Sequence, residues 1–145
     1  LGDVYKRQAL HDDTNTIPTW LQEAVSSYVS VLNDCAYSYA NHWKNAAHLI
    51  GDADRAGEIE TALQARKPEQ AFEGAELALM RYAEKLTLSP GDIVEADVAA
   101  LRDAGLNDGT ILEANQIICY FNYVNRSING LGVTTAGDIV GYYAD

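Results

Sequence analysis

The sequence predicts an all-α fold, built as one compact domain. Apolar residues recur at helical spacing from Ala9 onward, and no alternating run of β-branched residues is long enough to compete with that pattern. Short clusters of Pro, Gly, Asn and Asp divide the pattern at close intervals, as expected where helices end and begin. A chain of 145 residues, 48% of them hydrophobic, is large enough for a single core. We therefore expect a bundle of about six helices joined by short loops.

Each predicted helix is bounded by a capping residue or a helix breaker. Thr16 is the expected N-cap of the first helix, with Pro18 in the first turn, where proline is tolerated. Asn33 and Asp34 interrupt the chain and cap it again, and Gly51 ends the second helix. The expected bounds are the Thr16 cap to Leu32, Cys35–Ile50, Asp54–Gln64, Ala71–Leu86, Glu95–Asp103 and Asp108–Asn129.

The chain is acidic, with a net charge of −11 and carboxylates spread along its length. Nucleic acid and anionic membranes repel such a surface, so neither is expected as a partner. No apolar run approaches the roughly 20 residues that a membrane-spanning helix requires. Two cysteines do not form a disulfide framework, so a reducing, cytoplasmic location is expected.

The first eight residues have the sequence of a translated adapter rather than of a natural protein. "LGDVYKRQ" corresponds codon for codon to CTC-GGA-GAT-GTG-TAT-AAG-AGA-CAG, which resembles the transposon-end adapter of sequencing libraries read in frame. We therefore interpret residues 1–8 as an artefact and residues 9–145 as the domain itself. We therefore expect the domain to be an incomplete copy that lacks N-terminal elements.

Three polar residues share one face of the second predicted helix, in the stretch "NDCAYSYANHW". Cys35, Ser38 and His42 stand at positions i, i+3 and i+7. His42 therefore lies within roughly 20° of Cys35 around the helix axis but about 10 Å along it. Only Ser38 is within side-chain reach of His42. This face is either an active site or a core face that contains polar atoms.

Cys35 and Glu23 give this face two groups that could take part in a reaction, a thiol and a carboxylate. Cys35 is expected in the first helical turn, where free N–H groups and the helix dipole favour a thiolate, although the charge of Asp34 opposes this. Glu23 lies among small and apolar neighbours, and a chain reversal after the first helix would bring it toward His42. A buried glutamate beside a histidine is typical of proton transfer.

Ordinary structural roles compete with these assignments. Ser38 can bond its own helix backbone, and His42 can be a satisfied core histidine. Cys119 is expected as a small core residue and His48 as a surface residue. Glu23, His42 and His48 do not have the spacing of a standard metal site, so neither a metal nor a cofactor is expected.

Glu23, Cys35, Ser38 and His42 together resemble the signature of the alkylhydroperoxidase D (AhpD)-like, or carboxymuconolactone decarboxylase-like, superfamily. That signature is a Glu, eleven residues, a Cys, two residues, a Cys or a substitute, three residues and a His. The later stretch "GLNDGTILEANQIICYFNYVNRSINGLGV" resembles the matching segment of the peroxidase-related enzyme branch. The resemblance implies an AhpD-like helical domain that assembles as a homo-oligomer.

The chain departs from this signature at the second cysteine. In active members, as the resemblance implies, that cysteine attacks the peroxide with help from the glutamate, the histidine and a water. The first cysteine then closes a disulfide, which a dithiol partner reduces. Here the second position is Ser38, which carries no redox chemistry, so the two-cysteine cycle is expected to be absent.

Three functions remain open at this point. The leading one is a peroxidase-related protein with at most a one-cysteine thiol activity, in which Cys35 forms a sulfenic acid while Glu23 and His42 relay a proton. The second uses Glu23 and His42 as acid and base on a small carboxylic acid or lactone, as the resemblance to the decarboxylases implies. The third is a non-catalytic oligomeric binding protein. The expected partners are a small-molecule substrate (a peroxide or small carboxylic acid), an external thiol reductant and further copies of the chain.

Overall fold

A computed structural model describes residues 15–142, and within them the chain forms six α-helices and no β-strand. The predicted all-α class is confirmed. The helices are α1 (Thr19–Leu32), α2 (Ala36–Ile50), α3 (Ala53–Gln64), α4 (Gly74–Leu88), α5 (Glu95–Asp103) and α6 (Asp108–Gly130). The interpretation of residues 1–8 as an artefact concerns residues outside the described range. In the described part, no helix has both the length and the apolar character needed to cross a membrane.

The start of α1 differs from its predicted position. The helix begins at Thr19 with Pro18 as its N-cap, so the prediction of a Thr16 cap is wrong. The Thr16 hydroxyl donates instead to Glu113 at 2.8 Å and lies 2.9 Å from the hydroxyl of Thr110, both in α6. These partners are far away in the sequence, and they satisfy the hydroxyl that was expected to cap the helix.

The start of α4 is the other large difference. The chain first makes a turn of 3-10 helix over Pro68–Gln70, and α4 begins at Gly74 rather than at Ala71. A second such turn, Pro90–Asp92, precedes α5, whose bounds are those predicted. The predicted bounds of α2, α3 and α6 agree with the structure to within one residue at each end.

α1 is the central helix and is buried on almost every side. It packs against α2, α3, α4 and α6. A helix in this position must satisfy its polar side chains internally. Ser26, Ser27 and Ser30 do so by donating to the carbonyl oxygens four residues earlier, at 2.7, 2.8 and 2.7 Å. The only charged residue of α1 is Glu23, which is 3% exposed.

A Schellman motif reverses the chain between α1 and α2. The N–H of Cys35 donates to the backbone carbonyl oxygen of Ser30 at 2.9 Å, and the N–H of Asp34 donates to that of Val31 at 3.2 Å. Asp34 takes the left-handed φ of 51° that the motif requires, a conformation that aspartate tolerates better than most side chains. The turn lays α2 back along α1 and buries Cys35 as the N-cap of α2.

Candidate functional site

Glu23 of α1 and His42 of α2 form a carboxylate–imidazole pair. Glu23 Oε2 lies 2.6 Å from His42 Nδ1, and the two side chains are 4% and 23% exposed. The predicted contact is therefore confirmed, and the Schellman turn between the helices is what makes it possible. A carboxylate only accepts hydrogen bonds, so Nδ1 donates to Glu23, and in the neutral imidazole the lone pair is then on Nε2.

Phe121 of α6 holds the imidazole from another side. The ring centroids of His42 and Phe121 are 4.5 Å apart, and their planes meet at 83°, an edge-to-face contact. The other ring nitrogen, Nε2, has no hydrogen-bond partner among the described residues. Every buried side-chain nitrogen in the described part of the chain has such a partner, so Nε2 is not buried and solvent reaches it. The imidazole is thus fixed through one nitrogen and available through the other.

A cavity of about 340 Å³ opens beside His42, a volume suited to a small molecule. Polar groups on its wall come mainly from α2, and apolar groups come from α6. The wall includes Tyr37, Ser38, Asn41, His42 and Asn45 of α2, and Tyr120, Phe121, Val124 and Ile128 of α6. No Lys, Arg, Asp or Glu is among the described residues that line it. Such a wall suits an uncharged or weakly acidic molecule better than one with a fixed charge.

The C-terminal segment closes one side of this cavity. The backbone N–H groups of Gly141 and Tyr142 donate to the side-chain oxygens of Asn41 and Asn45, at 3.0 and 2.6 Å. Gly141 has a φ of +87°, and a Cβ there would lie 2.8 Å from Lys44 Cδ, so glycine permits the close approach. The sequence patterns described above do not predict that the C-terminal segment lines the cavity. The pattern that could have indicated it is the pair Asn41 and Asn45, at i and i+4 near His42 on α2.

Ser38 lines the same cavity, but its hydroxyl pairs with Ser30 rather than with His42. Ser38 is 2% exposed, and Ser30 Oγ donates to Ser38 Oγ at 2.9 Å. Ser38 and His42 share the cavity wall, as their shared helix face predicts, although no hydrogen bond joins them among the described contacts. A molecule bound in the cavity would connect these two side chains.

Cys35 is sealed off from this cavity. It is 1% exposed and is absent from the described cavity wall. Burial raises the pKa of the Cys35 thiol, and a hydrogen bond from the backbone of Ser38 only partly opposes that rise. The expectation of a lowered thiol pKa is therefore wrong, because desolvation outweighs the effect of the helix terminus.

Two further residues singled out in the sequence lie away from the site. Cys119 is exposed on α6, so the prediction of a core position is wrong, and its thiol lies 3.8 Å from Asn115 Oδ1. Cys35 and Cys119 are both free thiols. His48 is exposed, as predicted. Among the described residues, no three His, Cys, Asp or Glu side chains converge as a metal site would require.

Solved structures share this helical arrangement. An uncharacterized peroxidase-related protein from Silicibacter sp. TM1040 matches with a TM-score of 0.82 and 22% identity, over 92% of this chain and 68% of that one. A peroxidase-related protein from Ralstonia eutropha JMP134, described as an alkylhydroperoxidase AhpD core, matches with a TM-score of 0.78 and 19% identity, over 89% and 66%. The debrominase Bmp8, solved in complex with 2,3,4-tribromopyrrole, matches with a TM-score of 0.74 and 16% identity, over 90% and 66%.

These likenesses define the fold. The chain has the AhpD-like helical fold of peroxidase-related proteins, as the resemblance in sequence predicts. It spans about two thirds of the length of the solved structures that it matches. No protein-family model and no curated protein sequence matches it.

Proposed function

We propose that this protein is an acid–base enzyme on the AhpD-like fold that works without a redox cycle, as in the decarboxylase alternative above. One observation carries the proposal. His42 has one ring nitrogen on a buried carboxylate and the other open to a cavity, whereas the Cys35 thiol lies outside the described wall of that cavity. The group that a small molecule can reach is therefore a base and not a thiol.

His42 acts as the general base in this proposal. Nε2 takes a proton from the substrate, the electron pair of the broken bond stays on the substrate, and the imidazolium then returns the proton to the same or another atom. Glu23 stabilises the imidazolium across the 2.6 Å hydrogen bond, and Phe121 fixes the ring plane. A positioned base of this kind contributes about 10²–10⁴-fold to a proton-transfer rate.

The cavity wall indicates an uncharged substrate. A free carboxylate would meet no Lys or Arg among the described lining residues, so a lactone or ketone suits the site better than a carboxylic acid. Tyr120 and Phe121 offer aromatic surface to a flat molecule. Bmp8 was solved with 2,3,4-tribromopyrrole, and a flat, uncharged ring of that kind would suit these walls as well.

A one-cysteine thiol peroxidase is the competing function, and the peroxidase-related neighbours support it. It requires a peroxide to reach the Cys35 thiol, which is 1% exposed. It also requires a thiolate, whereas burial raises the pKa of that thiol. The geometry therefore favours His42 over Cys35.

Deuterium exchange tests the proposal. A panel of small lactones and ketones is incubated with the protein in D₂O, and the exchange of C–H for C–D is followed by mass spectrometry. We expect exchange with at least one compound, and a loss of about 100-fold in the His42→Gln variant. Glu23→Gln should lose about tenfold or more, because an amide stabilises the imidazolium poorly.

Two variants serve as controls for this assay. His48→Gln removes an exposed histidine from the same helix and should leave exchange unchanged. Cys35→Ala should also retain exchange, because the thiol lies outside the described cavity wall. Equal exchange by the natural sequence and His42→Gln would refute the proposal, and Cys35-dependent consumption of peroxide would support the competing function. Homo-oligomeric assembly stays a prediction, which light scattering tests.

A further inference from the structure

Asn125 of α6 is fully buried but poorly satisfied. It is 0% exposed, and its one described hydrogen-bond partner is Ser30, whose Oγ lies 3.3 Å from Asn125 Nδ2 and 3.4 Å from Oδ1. An asparagine amide offers two donors and two acceptor sites, and burying it with so few partners is costly. A leucine of similar size would fill this space without that cost, so packing does not account for an asparagine here.

Ser30 connects Asn125 to the cavity wall. Ser30 has a single hydroxyl proton, which is shared between two acceptors, the Ser26 carbonyl oxygen at 2.7 Å and Ser38 Oγ at 2.9 Å. The amide N–H of Asn125 occupies one of the two lone pairs of Ser30 Oγ, so it competes with the Ser38 hydroxyl as a donor to Ser30 and favours Ser30 as the donor toward Ser38. A buried chain of donors thus runs from α6 through α1 to α2.

Ser38 ends this chain at the cavity. Where its oxygen accepts from Ser30, its own proton has no acceptor among the described residues and is available to a bound molecule. His42 lies one helical turn further on and lines the same cavity. A bound molecule would therefore meet a base at His42 Nε2 and a hydroxyl donor at Ser38.

We propose that Asn125 and Ser30 are positioning residues that hold the Ser38 hydroxyl as a donor to the negative charge formed when His42 deprotonates the substrate. This inference rests on the proposed function of His42. It narrows the substrate class to neutral compounds whose conjugate base carries its charge on oxygen, such as the enolate of a lactone or ketone. Donors that are oriented in advance stabilise an oxyanion without reorganisation during the reaction.

A thiol at position 38 measures this donor chain without a substrate. In the Ser38→Cys variant, the pH dependence of alkylation by iodoacetamide, followed at residue 38 by mass spectrometry, gives the thiol pKa. Adding Ser30→Ala should raise that pKa by about one unit, a tenfold loss of thiolate near neutral pH, because the sulfur loses its donor. Ser27→Ala is the matched control, since Ser27 is buried in the same helix and its hydroxyl donates to the Glu23 carbonyl at 2.8 Å.

A double substitution separates positioning from packing. Ser30→Ala leaves the Asn125 amide unpaired and should lower Tm, as any structural role also predicts. Ser30→Ala combined with Asn125→Leu removes both partners and should restore Tm, and it carries the test alone if the single variant does not fold. A positioning role predicts that the thiol pKa of the Ser38→Cys variant stays raised in this combination, whereas a packing role predicts its return.

The result that would overturn the inference is a thiol pKa at position 38 that is the same with and without Ser30. Because alkylation needs no substrate, this outcome is independent of the exchange assay for His42. A raised pKa together with absent exchange would retain the donor chain and refute the proposed base. An unchanged pKa together with His42-dependent exchange would refute the donor chain and retain His42 as the base.

Discussion

α2 carries two candidate reactive groups in different surroundings. Cys35, at its N-cap, is 1% exposed and lies outside the described cavity wall. His42, two turns further on, is 23% exposed and lines the cavity while Glu23 holds its other nitrogen. Both groups share one helix face, so access to a small molecule distinguishes them. The position of a reactive side chain in a motif therefore does not determine whether a substrate can reach that side chain.

The largest effect is expected from Ser38→Cys, which places a thiol on the wall of the cavity beside His42. In Ser38→Cys, the thiolate that His42 generates attacks a peroxide oxygen, the O–O bond breaks, and a sulfenic acid forms. The Cys35 thiol then displaces water to form a disulfide, which an added dithiol reduces. We expect peroxide turnover to rise by about 100-fold or more over the natural sequence, measured as peroxide consumed with a dithiol reductant.

The control for this gain is a thiol placed elsewhere in the core. Ser27→Cys introduces a buried sulfur on α1 that is not part of the described cavity wall, and it should show no gain. Adding His42→Gln to Ser38→Cys should remove most of the activity. A Ser38→Cys variant no more active than the natural sequence would show that His42 does not activate a nucleophile in this cavity.

The two natural thiols should react at different rates. Cys119 is exposed and Cys35 is buried, so iodoacetamide should modify Cys119 about tenfold faster or more under native conditions. Peptide mass spectrometry of samples taken over time measures both rates, and modification in denaturant should abolish the difference. Similar native rates would show that Cys35 is accessible and would restore it as a candidate nucleophile.

The turn that seals Cys35 should tolerate a glycine. Asp34 has a φ of 51°, and its exposed ion pair with Arg66 contributes little to stability. Asp34→Gly should therefore raise the free energy of unfolding by about 1 kcal/mol, measured by urea denaturation. Glu58→Gly removes an exposed carboxylate that also pairs with an arginine, but from the interior of α3, and should lower stability by about 1 kcal/mol. Equal signs for the two substitutions would contradict this account of the turn.

The smallest expected effect is a pH dependence from the Cys35 thiol. Burial raises its pKa in the folded state, so as pH rises past the ordinary thiol pKa of about 8.5 the unfolded state loses its proton first. The contribution of this group to stability is complete below that pH and is lost as pH rises toward the folded pKa. Cys35→Ala should therefore lose less stability than the natural sequence between about pH 7 and about pH 10, measured by urea denaturation. An equal loss of stability with pH in Cys35→Ala and in the natural sequence would contradict a buried, neutral Cys35 thiol.

Features that depend on local sequence can be predicted from it. The bounds of α5 and the end of α2 at Gly51 follow from helical periodicity and from a glycine with positive φ. The Glu23–His42 contact is predictable because a break after α1 forces the next helix back along it. The prediction of a Thr16 cap fails because the hydroxyl partner of Thr16, Glu113, is 97 residues away along the chain.

The helical class, the reversal at Asp34 and the carboxylate–imidazole pair can be predicted from the sequence, because each depends on residues that lie near one another along the chain. Which polar groups meet a cavity depends instead on contacts between distant segments. α6 supplies Phe121 against His42 and Asn125 against Ser30, and the C-terminal segment closes the cavity at Gly141. Burial, and with it the raised pKa of Cys35, depends on contacts from all these distant segments together, so no local pattern encodes it.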